Sequence, residues 1–460
     1  MAAAETPTLR SPGLSWQELL DTDTHPVPDV LRSVSTARLG DHDLSIDRYI
    51  DPAYHAREVE RLWSRVWQFA CREEHIPEVG DYVVYDIAQL SFVVMRVAPR
   101  EIKAFVNACL HRGRRLKDYD GRCSELQCPY HGFTWHSDGR FKRAPSHEWD
   151  LRHVDPARFA LPEARVGTWA GFVLINPDPN AEPLEQFLGD AIPHYARWDL
   201  ANRYVEVHVA KIIEANWKIA QEAFAEAYHV GATHPQGSAY LGDTNSQIDC
   251  WENFARSVTA ALTPSPLLSW KPSEEEMMRA QLDVRLGEPL PIAIPPGKTA
   301  REMAAANARE RWRPALGARV DAYCDAEMVD NLTYTVFPNF HPWGALNRIV
   351  YRFRPNGNDH RSSIMEVMYL SPFSGTRPPP APVHWLGADE PWSHAQELGV
   401  LAKIFEQDTF NMRQVQRGLE TTRKPGVTLT SYQESKVRWL NTKIDAWLAS
   451  EQAPRSQGRS

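Results

Sequence analysis

The chain has 460 residues, 43% of them hydrophobic and 24% charged, which is too long for one average domain and apolar enough for a large core. A formal net charge of −8 argues against the basic face that nucleic acid needs, and no run of apolar residues is long enough to span a bilayer. Six cysteines in so long a chain make no disulfide framework, and the N-terminus lacks a basic-then-apolar leader, so a cytoplasmic location is expected.

Residues 1–50 carry Pro7, Pro12, Pro26 and Pro28 among scattered charges and read as an arm that packs on a larger downstream domain. Asp51-Pro52 then opens a helix with Val59, Leu62, Trp63 and Val66 on one face. From Tyr82 to about Phe172 the pattern shortens to strands, Tyr82–Tyr85, Phe92–Arg96 and Phe172–Ile175, separated by Gly and Pro turns. This predicts a small antiparallel β domain over 51–170.

Two loops of that domain, expected at hairpin tips, carry metal chemistry. Cys109-Leu-His111 and Cys128-Pro-Tyr-His131 each bring one thiolate and one imidazole to a point. Two such pairs can hold a two-iron, two-sulfide cluster with cysteines on one iron and histidines on the other, a Rieske centre with a potential of about −150 to +300 mV. Zinc also accepts two sulfurs and two nitrogens and is the competing occupant, although finger sites usually place both cysteines in one half. Gly113, Gly121 and Gly132 allow tight turns and Pro129 fixes the backbone. Cys123 lies between the pairs with no histidine at matching spacing, and Cys71, Cys250 and Cys324 read as ordinary thiols.

Beyond residue 171 a larger domain is expected to run to 448. Val205, Val207 and Val209 alternate with Glu206 and His208 as in a half-buried strand, and Trp217 to Tyr228 reads as a helix. On that helix Glu222, Glu226 and His229 share one face. His234 lies about 140° further round, so both imidazoles can meet one metal only if the helix breaks between them, which Gly231 and Pro235 permit. Two histidines with a carboxylate make the facial triad of non-heme Fe(II) sites. Glu226-x-x-His229 also matches the unit of di-iron bundles, but no second Glu-x-x-His occurs. Capping boxes at Ser273/Glu276 and Thr299/Glu302, strands over 332–337, 348–353 and 363–370, a loop at Pro378–Pro380 and a helix over 394–417 follow, with a disordered tail over 449–460. The fold class is α+β: the small antiparallel β domain, then a larger antiparallel sheet flanked by helices.

Asn107-Ala-Cys-Leu-His-Arg-Gly113 and Cys128-Pro-Tyr-His-Gly-Phe-Thr-Trp135 resemble the two Rieske loops of the catalytic α subunit of Rieske non-heme iron oxygenases. The resemblance extends from the helix at Arg57–Trp67 through Val79-Gly-Asp81 to Trp169-Ala-Gly-Phe172, and covers most of residues 45 to 430. It implies a [2Fe-2S] Rieske cluster on Cys109, His111, Cys128 and His131, and mononuclear Fe(II) on His229, His234 and a carboxylate in Phe405-Glu-Gln-Asp-Thr-Phe-Asn-Met412. Matching assigns Asp408, with Glu406 competing. Glu226 is implied to be catalytic, bridging His229 to His131 of the partner subunit in a homotrimer, with or without a β subunit.

The electron source so implied is NADH through a separate reductase, with or without a ferredoxin, since the chain has no Gly-x-Gly-x-x-Gly fingerprint. The implied reaction adds O2, by dihydroxylation, to an apolar aromatic or polycyclic substrate. The alternatives are monooxygenation (C–H hydroxylation or O-/N-demethylation) and electron transfer without oxygenase chemistry. Phe224, Leu332, Tyr334, Phe337 and Phe340 are expected to offer apolar pocket surface, Ala223 stands where ring-hydroxylating relatives often carry Asn, and a long 265–330 insertion suggests room for a bulky substrate.

Overall fold

The structure, a computed structural model, describes residues 11, 13–35 and 39–450. Pro7, Pro12 and the tail beyond 450 lie outside the described residues. Among the described residues of the arm, helix α1 (Trp16–Leu20) is closed by a Ser15/Glu18 capping box, and the buried Trp16 indole donates to Asp330 Oδ2 at 2.8 Å. Helix α2 (Pro52–Glu58) starts where Asp51 accepts from Ala53 N–H, and continues as a wider π turn over Val59–Trp63. Val59, Leu62, Trp63 and Val66 are all buried, so the expected face holds through the change of pitch.

The first sheet has seven strands: β1 (Gln68–Arg72), β2 (Asp81–Ile87), β3 (Leu90–Ala98), β4 (Glu101–Val106), β5 (Gly121–Arg122), β9 (Glu163–Trp169) and β10 (Phe172–Asn176). Their order is β1-β10-β9-β4-β3-β2-β5, all antiparallel. Strands β6 (Glu125–Gln127), β7 (Thr134–His136) and β8 (Phe141–Arg143) form a separate three-stranded sheet. The second cysteine loop therefore caps the β6–β7 hairpin as expected. The first does not: it leaves β4 and leads to β5, which pairs with β2 rather than β4. Strand β10 lies between β1 and β9, so this sheet continues past the expected boundary at 170 to Asn176.

The larger sheet contains β11 (Arg203–Ile213), β12 (Gln247–Cys250), β13 (Phe254–Thr259), β14 (Asn331–Val336), β15 (Phe340–Pro342), β16 (Ile349–Asn356), β17 (Asp359–Pro372) and β18 (His384–Leu386). The order is β12-β13-β14-β15-β16-β17-β11-β18, antiparallel except that the edge strand β18 runs parallel to β11. The alternation expected along β11 fails at His208, which is buried because the first domain covers that face, and His208 stacks on His75 with ring centroids 6.0 Å apart. The two sheets share one core. Phe69, Phe172 and Phe340 meet ring to ring at 4.7–5.2 Å, and Arg352 donates to the Phe69 and Ala70 carbonyls at 2.7 Å while paired to Glu366.

Helix α3 (Trp217–Glu222) stops short of the expected Tyr228, and a single turn, α4 (Val230–Thr233), follows. Helices α5 (Glu274–Leu282) and α6 (Ala300–Leu316) carry the expected capping boxes. The helix expected near 394–417 is α7 (Leu401–Thr421), entered through two 3-10 turns. Helix α8 (Ser435–Ala449) was not expected: Val437, Leu440, Ile444 and Leu448 recur at helical spacing, but buried Lys436, Arg438 and Asn441 interrupt the apolar pattern.

Helix α3 is fixed to α2 by a fully buried ion pair, Lys218 Nζ to Glu58 Oε1 at 2.6 Å, with the Trp217 indole on the other oxygen at 3.1 Å. Removing one partner leaves an uncompensated charge. Lys218→Met is expected to cost about 3–5 kcal/mol in urea unfolding. Adding Glu58→Leu should recover a good part of that loss.

Candidate metal centres and substrate cavity

The two cysteine loops are built alike. Cys109 N–H donates to Arg114 O and Gly113 N–H returns to Cys109 O, both at 2.8 Å. Cys128 N–H donates to Phe133 O at 2.8 Å and Gly132 N–H returns to Cys128 O at 3.0 Å. Each loop closes through a glycine at positive φ, +76° at Gly113 and +74° at Gly132, where a side chain would be strained. Gly121 differs: it lies in β5 against Tyr82, whose Oη would stand 3.0 Å from an added Cβ.

Cys109 and Cys128 are buried, His111 is exposed and His131 half-buried, with the two imidazoles 4.7 Å apart. Burial pushes the Cys109 thiol up, and the neighbouring Cys128 adds to the rise. His131 Nδ1 is buried without a hydrogen-bond partner among the described residues, as a ligand atom awaiting a metal would be. The four residues thus fit a cluster with sulfur inside and imidazole outside. Among the described residues only His229, His234 and Asp408 form a group of three ligand atoms that could hold a single ion, all within 4.8 Å of one another.

His229 and His234 stand at the two ends of α4, as its N-cap and C-cap. The helix is interrupted before His229 and after Thr233, not at Gly231, and Pro235 ends it by pushing His234 to φ −123°, ψ 57°. The rings lie 5.3 Å apart. Asp408, buried on α7, places Oδ1 at 2.8 Å from His234 Nε2 and 3.6 Å from His229 Nε2. Each histidine is held from behind: Glu226 Oε1 lies 2.7 Å from His229 Nδ1, and Gln407 Oε1 2.9 Å from His234 Nδ1. With both Nδ1 atoms donating, both Nε2 lone pairs turn to the point they share with Asp408. Burial works against a charged His229, yet Glu226, Asp408 and Asp243 together hold its pKa above the usual histidine range.

The remaining candidates separate. Glu226 lies past the end of α3, where Oε2 also accepts from His229 N–H at 3.0 Å. Glu222 does not share its face: it turns inward to Tyr49 Oη at 3.0 Å and Asn441 Nδ2 at 2.7 Å, and burial raises it to about 7. Glu406 points away from the triad and accepts from Trp392 N–H at 3.0 Å. Gln407 was not singled out in the sequence, although it adjoins Asp408; it also accepts from Gln236 Nε2 at 2.9 Å, joining α7 to the turn after α4.

The triad opens on a cavity of about 350 Å³. Phe224, Trp343, Tyr351, Leu401 and Phe405 form its apolar wall, and Ala223 lines it as well. Leu332, Tyr334, Phe337 and Phe340 do not line it and pack in the shared core. The strand period explains this: Leu332 and Tyr334 face one side of β14, so Asn331 and Thr333 face the cavity. The 265–330 insertion contributes Gln281 and Val329 to the lining.

A seven-stranded and a three-stranded sheet that between them bear the paired cysteine–histidine loops, joined through one core to a sheet-and-helix domain with a two-histidine, one-carboxylate centre, define a class of two-centre iron protein. Sequence comparison agrees: residues 66–154 match the Rieske [2Fe-2S] domain, and residues 194–450 match the ring hydroxylating alpha subunit (catalytic domain). The chain belongs to the ring hydroxylating alpha subunit family.

It is 31% identical over 202 residues to the anthranilate 1,2-dioxygenase large subunit of Acinetobacter baylyi, covering 42% of this chain and 43% of that one. It is 29% identical over 218 residues to the glycine betaine monooxygenase oxygenase subunit of Chromohalobacter salexigens, covering 47% and 48%. The matches thus span about half the length of these curated relatives. Naphthalene 1,2-dioxygenase from Rhodococcus sp. bound to indole shares the fold, with a TM-score of 0.60 at 21% identity over 89% of this chain and 95% of that one.

Two measurements test this arrangement. Gln407→Leu should weaken Fe(II) binding by about 10–100-fold in anaerobic titration of the iron-depleted protein, because His234 loses the acceptor that orients it. Glu222 is protonated in the fold at a pH where an unfolded carboxyl is ionised, so stability should fall as pH rises from about 4.5 to about 7. Glu222→Gln should remove that decline, worth roughly 2–3 kcal/mol between pH 4 and pH 8 in urea midpoints.

Proposed function

We propose that the protein is the terminal oxygenase component of a Rieske non-heme iron system. The observation that carries this is the convergence of His229, His234 and Asp408 on one cavity. When bound, the cluster supplies electrons one at a time and Fe(II) supplies the site at which O2 is reduced. Cys109, Cys128, His111 and His131 hold the cluster; His229, His234 and Asp408 hold the iron and leave positions open for O2. Glu226 and Gln407 keep the ring protons on Nδ1, and Phe224, Tyr351 and Phe405 keep bulk water from the reacting atoms.

Electrons come from NADH through a separate reductase, with or without a ferredoxin. We assign 51–176 to the cluster domain, so that its sheet keeps β10, and 177–448 to catalysis. The assembly is a homotrimer, with or without a β subunit, in which Glu226 joins His229 to His131 of the partner subunit; each Glu226 oxygen keeps a lone pair for that contact. No helix among the described residues is long and apolar enough to cross a membrane, and we place the enzyme in the cytoplasm. The apolar wall supports ring dihydroxylation of an aromatic substrate. Monooxygenation is the second reading, favoured by the similarity to the glycine betaine monooxygenase oxygenase subunit and by the polar residues opposite that wall.

The test combines metal content with one variant. The purified chain should hold about three irons and two sulfides, from a two-iron cluster and one mononuclear site. Asp408→Ala should lose about one iron and all product while the EPR signal of the reduced cluster persists. Product formation by that variant at the parent's rate would remove Asp408 from the site.

A further inference from the structure

The cavity is chemically divided. Opposite the apolar wall, strands β13 and β14 turn one face inward, and their register sets Ser257 against Thr333 and Thr259 against Asn331. Thr259 is already bonded to Ser246 at 2.7 Å. The side chains of Ser257, Asn331 and Thr333 make no hydrogen bond to any described residue. From α5, Gln281 adds a buried Oε1 that also lacks a partner among the described residues. Of these groups Gln281 Oε1 is fully buried, while Ser257, Asn331 and Thr333 line the open cavity, so this floor presents hydrogen-bonding groups to whatever fills it.

The floor is also uncharged. Every ionisable residue that lines the cavity, Glu226, His229, His234 and Asp408 apart from the tyrosines, belongs to the metal side. A substrate carboxylate or quaternary ammonium at the floor would be buried without a counter-charge. An unsubstituted hydrocarbon would leave the hydroxyls and the Gln281 carbonyl unpaired. A neutral group that both donates and accepts, a hydroxyl or a carboxamide, satisfies them.

We infer that the substrate is a one- or two-ring aromatic compound bearing a neutral hydroxyl or carboxamide, which Ser257, Asn331, Thr333 and Gln281 hold on the floor while the ring lies against the contacting pair Phe224 and Tyr351 toward the triad. This rests on the cavity being the oxygenase's substrate site and narrows the apolar substrate expected from sequence. Ser257, Asn331 and Thr333 are specificity-determining residues, and the metal side is indifferent to the substituent.

Equilibrium dialysis of the anaerobic holoenzyme with naphthalene, 2-naphthol, 2-naphthamide and 2-naphthoate separates the classes without turnover. The expected result is that 2-naphthol or 2-naphthamide binds at least about tenfold tighter than naphthalene and 2-naphthoate, the discrimination of a site built to hydrogen-bond its ligand. Thr333→Val and Asn331→Leu should each narrow that ratio to about threefold or less. Ser257→Ala, the least disruptive change, should narrow it in the same direction. Equal or tighter binding of naphthalene, tightest binding of 2-naphthoate, or a ratio unmoved in all three variants overturns the inference. Oxygen uptake with the same four compounds is read separately: a binding preference with no uptake counts against the oxygenase reading and leaves the floor's preference standing.

Discussion

Two imidazoles five residues apart in sequence reach one carboxylate only if the chain between them is a single turn held at both ends. Everything at the metal site follows from that. A continuous helix would point His229 and His234 in directions about 140° apart. The break before His229 makes it an N-cap, Pro235 ends the turn at His234, and the rings come to 5.3 Å. The turn is then docked rather than free: Glu226 ties its first residue to the segment after α3, and Gln407 ties its last to α7 beside Asp408. The helix that supplies the carboxylate therefore also orients one of the imidazoles. Packing that moves α7 moves two of the three donors together, so the geometry is kept as a unit.

The cluster loops have a similar economy in another element type. Both use a cysteine carbonyl that accepts from a glycine at positive φ, and both put sulfur in the core and imidazole at the surface. Their placement relative to the larger domain is set by the shared core. Arg352 lies on β16 of the larger sheet and donates to two carbonyls of β1 in the smaller one, neutralised by Glu366 across the same strand pair. A guanidinium buried between two sheets needs all its partners at once, which makes the joint specific as well as tight.

Much of this was legible in the sequence. The cysteine–histidine spacing, the positive-φ roles of Gly113 and Gly132, the helix start at Asp51-Pro52 and both capping boxes are local chemistry, and local chemistry is written in adjacent residues. What could not be read there depended on tertiary neighbours. His208 breaks the alternation of β11 because another domain covers its face, and α8 hides its helical stripe behind buried Lys436, Arg438 and Asn441. Leu332 and Tyr334 were expected at the pocket for their apolarity. The pleat of β14 sends them to the shared core and presents Asn331 and Thr333 instead. Asp408 and Glu406, two residues apart on one helix, could be told apart only once α7 was seen to turn one toward α4 and the other toward Trp392.

The electrostatics of the triad give an independent reason for a cation there. The three charges that raise His229, those of Glu226, Asp408 and Asp243, are all negative, and one Asp243 oxygen is buried with no hydrogen-bond partner among the described residues. No arginine or lysine lines the cavity. A field that favours a proton on an imidazole also favours a metal ion at its lone pair, and an ion satisfies Asp408 and both histidines where a proton satisfies one pair. The opposite floor has no such field. One side of the cavity is thus suited to binding positive charge, while the residues of β13 and β14 that line it carry none.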